Sequence, residues 1–282
     1  MSGNNILKWS RGQLDFSDRP IVMGILNVTP DSFSDGGRFL DTDTAVAAGI
    51  EMAREGAAII DVGPASSRPG STAVDTNIQI DRAVAVIEKL SDAVDIPISI
   101  DSPDPAVVRA SLEAGASIVN DISASDAVIV LAREYNVPIV LMHMLGSPLT
   151  MQQNPQYENV VSEVLDFLLD RAEFSCRIGL DRKMIIIDPG IGFGKTTEHN
   201  IELMKNLDLF ASLGYRLLIG ASRKRFLGEI TCEPDPVNRT AATMAATACS
   251  TIAGVDIVRV HDVKANVDLM KCLKKIVNIE HS

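Results

Sequence analysis

Eight short apolar runs, each opening into a polar residue and each followed by a longer stretch of helical period, leave few folds open to this chain. They are 21–26, ending at Asn27; 57–60, ending at Asp61; 96–100, ending at Asp101; 117–119, ending at Asn120 and Asp121; 137–142, ending at His143; 184–187, ending at Asp188; 216–219, opening into Gly220, Ala221 and Ser222; and 256–260, broken by Arg259 and ending at His261. Such runs are strand-sized, and near-continuous apolarity is the mark of parallel strands buried on both faces. Between them, 76–93 puts Ile80, Ala83, Val84, Ile87 and Leu90 on one helical face. The stretch 158–177 does so with Val161, Val164, Leu165, Leu168 and Ala172, and 263–277 with Val263, Val267, Met270, Leu273 and Val277. Pro103 and Pro105 mark a helix start, and Gly56, Gly115, Gly179 and Gly214 precede new strands, where a helix-to-strand turn favours glycine. Eight strand–helix units in 282 residues predict an α/β fold, a single-domain (β/α)8 TIM barrel. An open doubly wound sheet would carry an early glycine-rich dinucleotide turn, which this sequence lacks. The expected organisation is an N-terminal extension or hairpin over 1–18 and the barrel over 19–282.

The residue inventory narrows the partners. Hydrophobic residues make up 46% but aromatics only 4%, so aliphatic side chains and alanine must fill the core. A net charge of −11 argues against nucleic acid, whose phosphates are bound by Lys and Arg. It leaves room for an anionic small substrate held by a few focused cations. Cys176, Cys232, Cys249 and Cys272 show no CxxC spacing and read as free thiols of a reducing, cytoplasmic compartment. The N-terminus lacks a basic region followed by an apolar stretch, so no signal peptide is expected. No apolar run approaches the roughly 18 residues of a membrane span, so no membrane association is expected either.

In a barrel, all eight strand ends meet at the C-terminal face, where active sites are built. One polar terminator can merely mark where a strand stops. Eight together, with Asp, Arg, Lys and His among them, are expensive to place beside a barrel core. Asp101, Asn120 and Asp188 suit the N–H donors and acceptors of a planar heterocycle. Arg68, Lys224, Arg259 and His261 suit a diphosphate, and Asp or Asn oxygens can share Mg²⁺ with phosphates. The segment 23–37 is a loop rich in Ser, Asp and Gly, long enough to form a lid. The segment 187–195, Ile-Asp-Pro-Gly-Ile-Gly-Phe-Gly-Lys, carries three alternating glycines that let backbone approach a ligand closely. Its tail resembles a P-loop, but the required first glycine falls at Pro189 and the spacing fails. His143 reads equally as a core-edge histidine, His199 and His281 as solvated surface residues, and Trp9 as packing. Arg223, Lys224 and Arg225 could form a solvated helix start, yet their place after the seventh strand, where barrels bind phosphate, favours function.

Seven motifs carry a family resemblance: MGILNVTPDSFSDGG at 23–37, SRPG at 67–70, ND at 120–121, LMHMLGSP at 141–148, DPGIGFGK at 188–195, SRK at 222–224 and RVHDV at 259–263. With them, from about residue 22 to about residue 267, the chain resembles the dihydropteroate synthases of folate biosynthesis. The resemblance implies condensation of 6-hydroxymethyl-7,8-dihydropterin diphosphate with p-aminobenzoate, Mg²⁺ as cofactor, and a homodimer. It implies Asn27 for Mg²⁺ and the diphosphate. For the pterin diphosphate it implies Arg68, Asp101, Asn120, Met142, Asp188, Phe193, Lys224, Arg259 and His261. For p-aminobenzoate it implies Ser67, Pro69, Phe193, Ser222, Arg223 and Lys224. Asp35, Asp101 and Lys224 would be the catalytic set, with Asp35 closing over the site and stabilising positive charge on the pterin. The second loop departs from the family's usual Gly-Gly-Glu-Ser-Thr-Arg-Pro-Gly: here it is Gly-Pro-Ala-Ser-Ser-Arg-Pro-Gly over 63–70, with Ala65 for glutamate and Ser67 for threonine. That run is similar to sulfonamide-insensitive members, which implies reduced sulfonamide sensitivity. A methyltransferase barrel that binds methylated folate, and a non-catalytic pterin-binding scaffold, are the rival readings. The small-residue stretch 240–252 could form a subunit interface or plain core.

Overall fold

Residues 5–29, 38–66, 74–147 and 149–277 are described by the computed structural model. A two-stranded antiparallel hairpin, β1 (Ile6–Trp9) and β2 (Gly12–Asp15), comes first. The eight barrel strands follow: β3 (Ile21–Asn27), β4 (Ile59–Gly63), β5 (Ile98–Asp101), β6 (Ile118–Asp121), β7 (Ile139–Met142), β8 (Ile185–Asp188), β9 (Arg216–Ile219) and β10 (Ile257–Val260). Each is parallel to its neighbours, and β10 pairs with both β9 and β3 to close the barrel. The helices between them are α1 (Arg38–Arg54), α2 (Thr76–Ala93), α3 (Pro105–Glu113), α4 (Asp126–Tyr135), α5 (Val160–Arg177), α6 (Thr197–Lys205), α7 (Leu207–Ala211), α8 (Arg225–Thr231), α9 (Thr240–Ile252) and α10 (Val263–Val277).

The helices begin where the sequence supplies a cap. Asp75 accepts from the N–H groups of Asn77 and Ile78 at the start of α2, and Asp104 accepts from Ala106 with Pro105 in the first turn of α3. Such caps satisfy amides that have no partner within the helix. On α2 the buried face is Ala83, Val86, Ile87 and Leu90. Strands β4, β6, β7 and β8 are buried along their whole lengths, which accounts for their apolar character apart from Asp61, Asn120, Asp121 and Asp188.

Several strands start and stop later than the apolar runs predict. Ala57 and Ala58 precede β4 and belong to the turn from α1, while Asp61 sits in mid-strand opposite Ile25. Asp101, Asp121 and Asp188 are last strand residues rather than the first residues beyond a strand. Parallel ladders are made of backbone hydrogen bonds, so a polar side chain aimed at the barrel mouth does not end one. His199 also differs from expectation. It is half-buried, its ring accepts from the Thr196 N–H, and it completes the capping box of α6. Trp9 packs in the core cluster, and a Cβ on Gly12 would meet its ring at 2.9 Å. Among the described residues no helix is long and apolar enough to cross a membrane.

Candidate active site

The floor of the barrel mouth is an ionic network spanning four strands. Arg259 of β10 donates through Nε to Asp61 Oδ2 of β4 at 2.7 Å and through Nη2 to Asp101 Oδ2 of β5 at 2.7 Å. Asn120 of β6 donates to the same Asp61 oxygen at 2.9 Å, which leaves its own amide oxygen available as an acceptor. Asp61 is fully buried, and its Oδ1 has no hydrogen-bond partner among the described residues. Burial pushes Asp101 up to about 7, opposed by Arg259 and reinforced by Asp61. Asp188, at the end of β8, is pushed up to about 6 by burial, against the pull of the Gly190 N–H, which donates to its Oδ1 at 2.7 Å, and of Lys224. The floor is therefore rich in acceptors and largely buried, and that burial holds Asp101 and Asp188 above the usual carboxylate range.

One wall is apolar: Ile122, Met142, Met151 and Phe193 form a small buried cluster of their own with Met144 against it. The Lys224 ammonium lies 3.7 Å from the centre of the Phe193 ring, a cation–π contact. The turn that carries Phe193 runs so close to its neighbours that a Cβ at Gly190 would lie 1.9 Å from the His143 carbonyl oxygen, and one at Gly192 would lie 2.9 Å from Lys224 Cδ. Both glycines have positive φ, which a side chain would also strain. The alternating glycines of 187–195 thus serve backbone-to-backbone approach and the seating of Lys224.

The rim comes from β9 and β10. Ser222 Oγ and His261 Nδ1 are 2.9 Å apart, and the His261 N–H donates to the same hydroxyl at 3.2 Å. Arg223 has φ 58° and is tied to Asp262, with Nη2 donating at 2.7 Å. Its N–H donates to Thr243, and its carbonyl accepts from Arg239. Its guanidinium is engaged in that ion pair, and the neighbouring Lys224 reaches to the Phe193 wall. Asp121 accepts from the N–H and hydroxyl of Ser123 and the N–H of Ser125, and so builds the turn after β6. Asn27, half-buried at the end of β3, has its Oδ1 3.4 Å from a Cβ built on Gly63, with Asp101 Oδ2 at 3.9 Å from the same point. Asp35, Ser67, Arg68 and Pro69 lie outside the described residues.

Asn27, Asp101, Asn120, Met142, Asp188, Phe193, Ser222, Lys224, Arg259 and His261 are thus gathered at the strand ends of one face. A cavity of about 490 Å³ at the opposite end, lined by Trp9, Arg11, Asp95 and Ser117 among others, holds none of them. Two residues missing from the expected site are central to its build. Asp61 joins Arg259 to Asn120, and its signal was present, since it closes an apolar run as Asp101 does. Lys195, read only as the tail of a failed P-loop, is buried and reaches into the junction below Phe193. Sequence gives no sign that a lysine seven residues past the end of β8 would fold inward.

A family model described as "Pterin binding enzyme" matches residues 23–261. A dihydropteroate synthase of Synechocystis sp. is 44% identical over 261 residues, covering 91% of this chain and 90% of that protein. The solved Xanthomonas albilineans dihydropteroate synthase with 4-aminobenzoic acid superposes with a TM-score of 0.90 at 39% identity, covering 98% of this chain and 100% of that one. The same organism's enzyme in complex with 7,8-dihydropteroate gives a TM-score of 0.86 at 38% identity over 96% of this chain and 98% of that one.

Proposed function

The chain belongs to the pterin-binding enzymes, among the dihydropteroate synthases, and from that premise we propose how its own residues share the work of the reaction. The reaction transfers the pterinylmethyl group of 6-hydroxymethyl-7,8-dihydropterin diphosphate to the amine of p-aminobenzoate, giving 7,8-dihydropteroate and pyrophosphate. The observation that carries the assignment of roles is the division of the mouth into an acceptor-rich floor and a cationic, aromatic flank.

The pterin binds at the floor. Asp101 and Asp188 accept from its ring N–H groups, and the Asn120 amide oxygen completes the set. Arg259 keeps the clustered carboxylates in place and lies against the ring, while Met142 and Phe193 bound it with apolar surface. Carboxylates held in a water-poor site favour the cation that forms on the pterin methylene as the diphosphate departs. Lys224, Arg259, His261 and Arg68 bind the diphosphate and hold its charge as it leaves. The amine of p-aminobenzoate, placed by Ser67, Pro69, Phe193, Ser222 and Lys224, then attacks the methylene carbon. The C–O bond breaks first, its electron pair leaving with the diphosphate; the amine lone pair then forms the C–N bond to the methylene cation, and the resulting ammonium gives its proton to water. A neutral arylamine is nucleophilic without a base, so no nucleophile–base pair is required. Arg223 contributes through its ion pair with Asp262, which fixes the β9 exit that carries Ser222 and Lys224. Asp35 acts from the first loop, closing over the pterin cation.

Asn27 supplies one neutral amide oxygen, and among the described residues no three His, Cys, Asp or Glu side chains are placed to hold a metal ion. That donor set fits Mg²⁺ held mostly by substrate phosphates and water. When bound there, Mg²⁺ would draw charge from the leaving diphosphate. The protein acts as a cytoplasmic homodimer with no nucleic-acid or membrane partner. The dimer reading is supported by α9, where Ala241, Ala245, Cys249 and Ile252 face outward and Ile252 is 60% exposed.

Pyrophosphate release tests the assignment. With Mg²⁺ and both substrates, wild type releases pyrophosphate, and Lys224→Ala lowers kcat/KM by about 100-fold or more, the scale of losing one charge-stabilising donor. Chelation of Mg²⁺ abolishes release. Wild-type levels in Lys224→Ala would remove that lysine from the site.

A further inference from the structure

Lys195 is 2% exposed, and its hydrogen bonds go to His143 and to two main-chain carbonyls rather than to the side chain of any residue assigned to substrate. Its Nζ donates to the Phe193 carbonyl at 3.0 Å and to the His143 carbonyl at 3.3 Å, and lies 2.9 Å from His143 Nδ1. His143 is itself buried, with its ring edge-on to Phe167. Burial and the neighbouring Lys195 charge pull its pKa down to about 3, so the ring is neutral, while burial pulls Lys195 down to about 7, where Nζ keeps hydrogens for both carbonyls as amine or as ammonium. An ammonium in a protein interior is costly unless its hydrogens are all taken. Methionine would fill the same space without that cost, so packing alone does not account for a lysine here.

The three acceptors come from two segments. His143 follows directly on β7, whose last residue, Met142, lines the pocket. Phe193 lies in the turn after β8. On either side of Phe193 that turn is anchored by side chains: Gln152 donates to the Gly192 carbonyl at 2.9 Å and Tyr157 to the Gly194 carbonyl at 2.8 Å. The carbonyl between these two, that of Phe193, is held by Lys195. The Phe193 ring in turn supports the Lys224 ammonium.

We propose that Lys195 is a positioning residue for the transfer, its side-chain nitrogen tying the His143 and Phe193 carbonyls together so that the Phe193 ring stays where it seats Lys224 and flanks p-aminobenzoate. The proposal rests on the placement of p-aminobenzoate at Phe193 given above. Lys195 acts on the second substrate through Phe193 and leaves the pterin floor of Asp101, Asn120 and Asp188 as it is.

A double-mutant cycle on the whole enzyme separates this from general support of the fold. Steady-state pyrophosphate release is measured for wild type, Lys195→Met, Phe193→Leu and the double variant, with each protein checked by thermal unfolding. Lys195→Met raises the KM for p-aminobenzoate about tenfold, a modest misplacement of a contact surface, and changes the KM for the pterin diphosphate by less than about twofold. In the Phe193→Leu background the same substitution moves the p-aminobenzoate KM by less than about twofold, because residues acting as one unit are not additive. Additive effects, or a loss confined to kcat and shared equally by both substrates, would overturn the positioning role. An unchanged p-aminobenzoate KM in Phe193→Leu alone would instead count against the placement of that substrate, and so remove the premise. Should Lys195→Met not fold, Lys195→Gln, whose amide is polar but one bond too short to hold both carbonyls, carries the same cycle with the same criteria.

Discussion

Single residues at the floor carry function at a cost in stability. The pKa of Asp188 in the folded protein, about 6, lies above the roughly 3.9 of an exposed aspartate. Below about pH 4 the group is protonated in both states and makes no difference to stability. As pH rises through 6, the folded protein must ionise a buried carboxyl, and stability is lost relative to a neutral isostere. Asparagine keeps an oxygen to accept from the Gly190 N–H. Asp188→Asn is therefore expected to be more stable than wild type by roughly 1–3 kcal/mol at pH 8, with the gain fading toward pH 4, while its synthase activity falls. Thermal unfolding of both proteins across that range decides it; a gain of the same size at both ends would show that packing, not ionisation, is responsible. The same residue shows what sequence can and cannot give. Asp101, Asn120, Asp188, Arg259 and His261 were legible because each closes an apolar run or interrupts one, and Lys224 because it sits in the basic cluster that follows the seventh run. Lys195 was not, because nothing in a linear pattern tells a lysine that turns inward from one that points to water. Nor could spacing show that Arg223 pairs with Asp262 while Lys224 turns to Phe193.

At the scale of elements, the loops after the strands set selectivity while the strands set the frame. The second loop leaves β4 at Gly63 and runs through Pro64, Ala65 and Ser66 before residues that are not described. Its sequence has Ala65 and Ser67 where the family usually has glutamate and threonine. If this loop meets the aryl end of p-aminobenzoate, the missing methyl and carboxylate alter the surface that separates substrate from sulfonamide. The expected result is that Ala65→Glu, Ser67→Thr lowers the sulfonamide inhibition constant by about tenfold, the lower end of what one buried methylene contributes. Equal constants for the two proteins would assign any difference in drug sensitivity to another element. Strand identity was plain from apolar runs, but strand ends were not. Backbone ladders continue through Asp61 and Asp101 whatever their side chains do, so hydrophobicity underestimates a strand on its functional side.

For the whole molecule, the barrel followed from counting units, whereas assembly beyond one chain does not. The outward row of Ala241, Ala245 and Cys249 on α9 suits close helix packing if two chains meet there. Light scattering on wild type should then give twice the chain mass, and Ala245→Glu, which puts a charge in the middle of the row, should shift it toward one; an unaltered mass would move the interface elsewhere. The Arg259 network has a consequence for how the chain reaches its working state. Arg259 contacts Asp61 across 198 positions of sequence and Asp101 across 158. Nascent chains emerge N-terminus first, so both carboxylates are made long before the cation that neutralises them. Until the last strand slots between the first and the seventh of the barrel, the growing polypeptide holds two acids that resist being dried and no floor on which a substrate could rest. Competence to bind therefore waits on the eighth barrel strand, and a chain cut short before it would be inert rather than partly active.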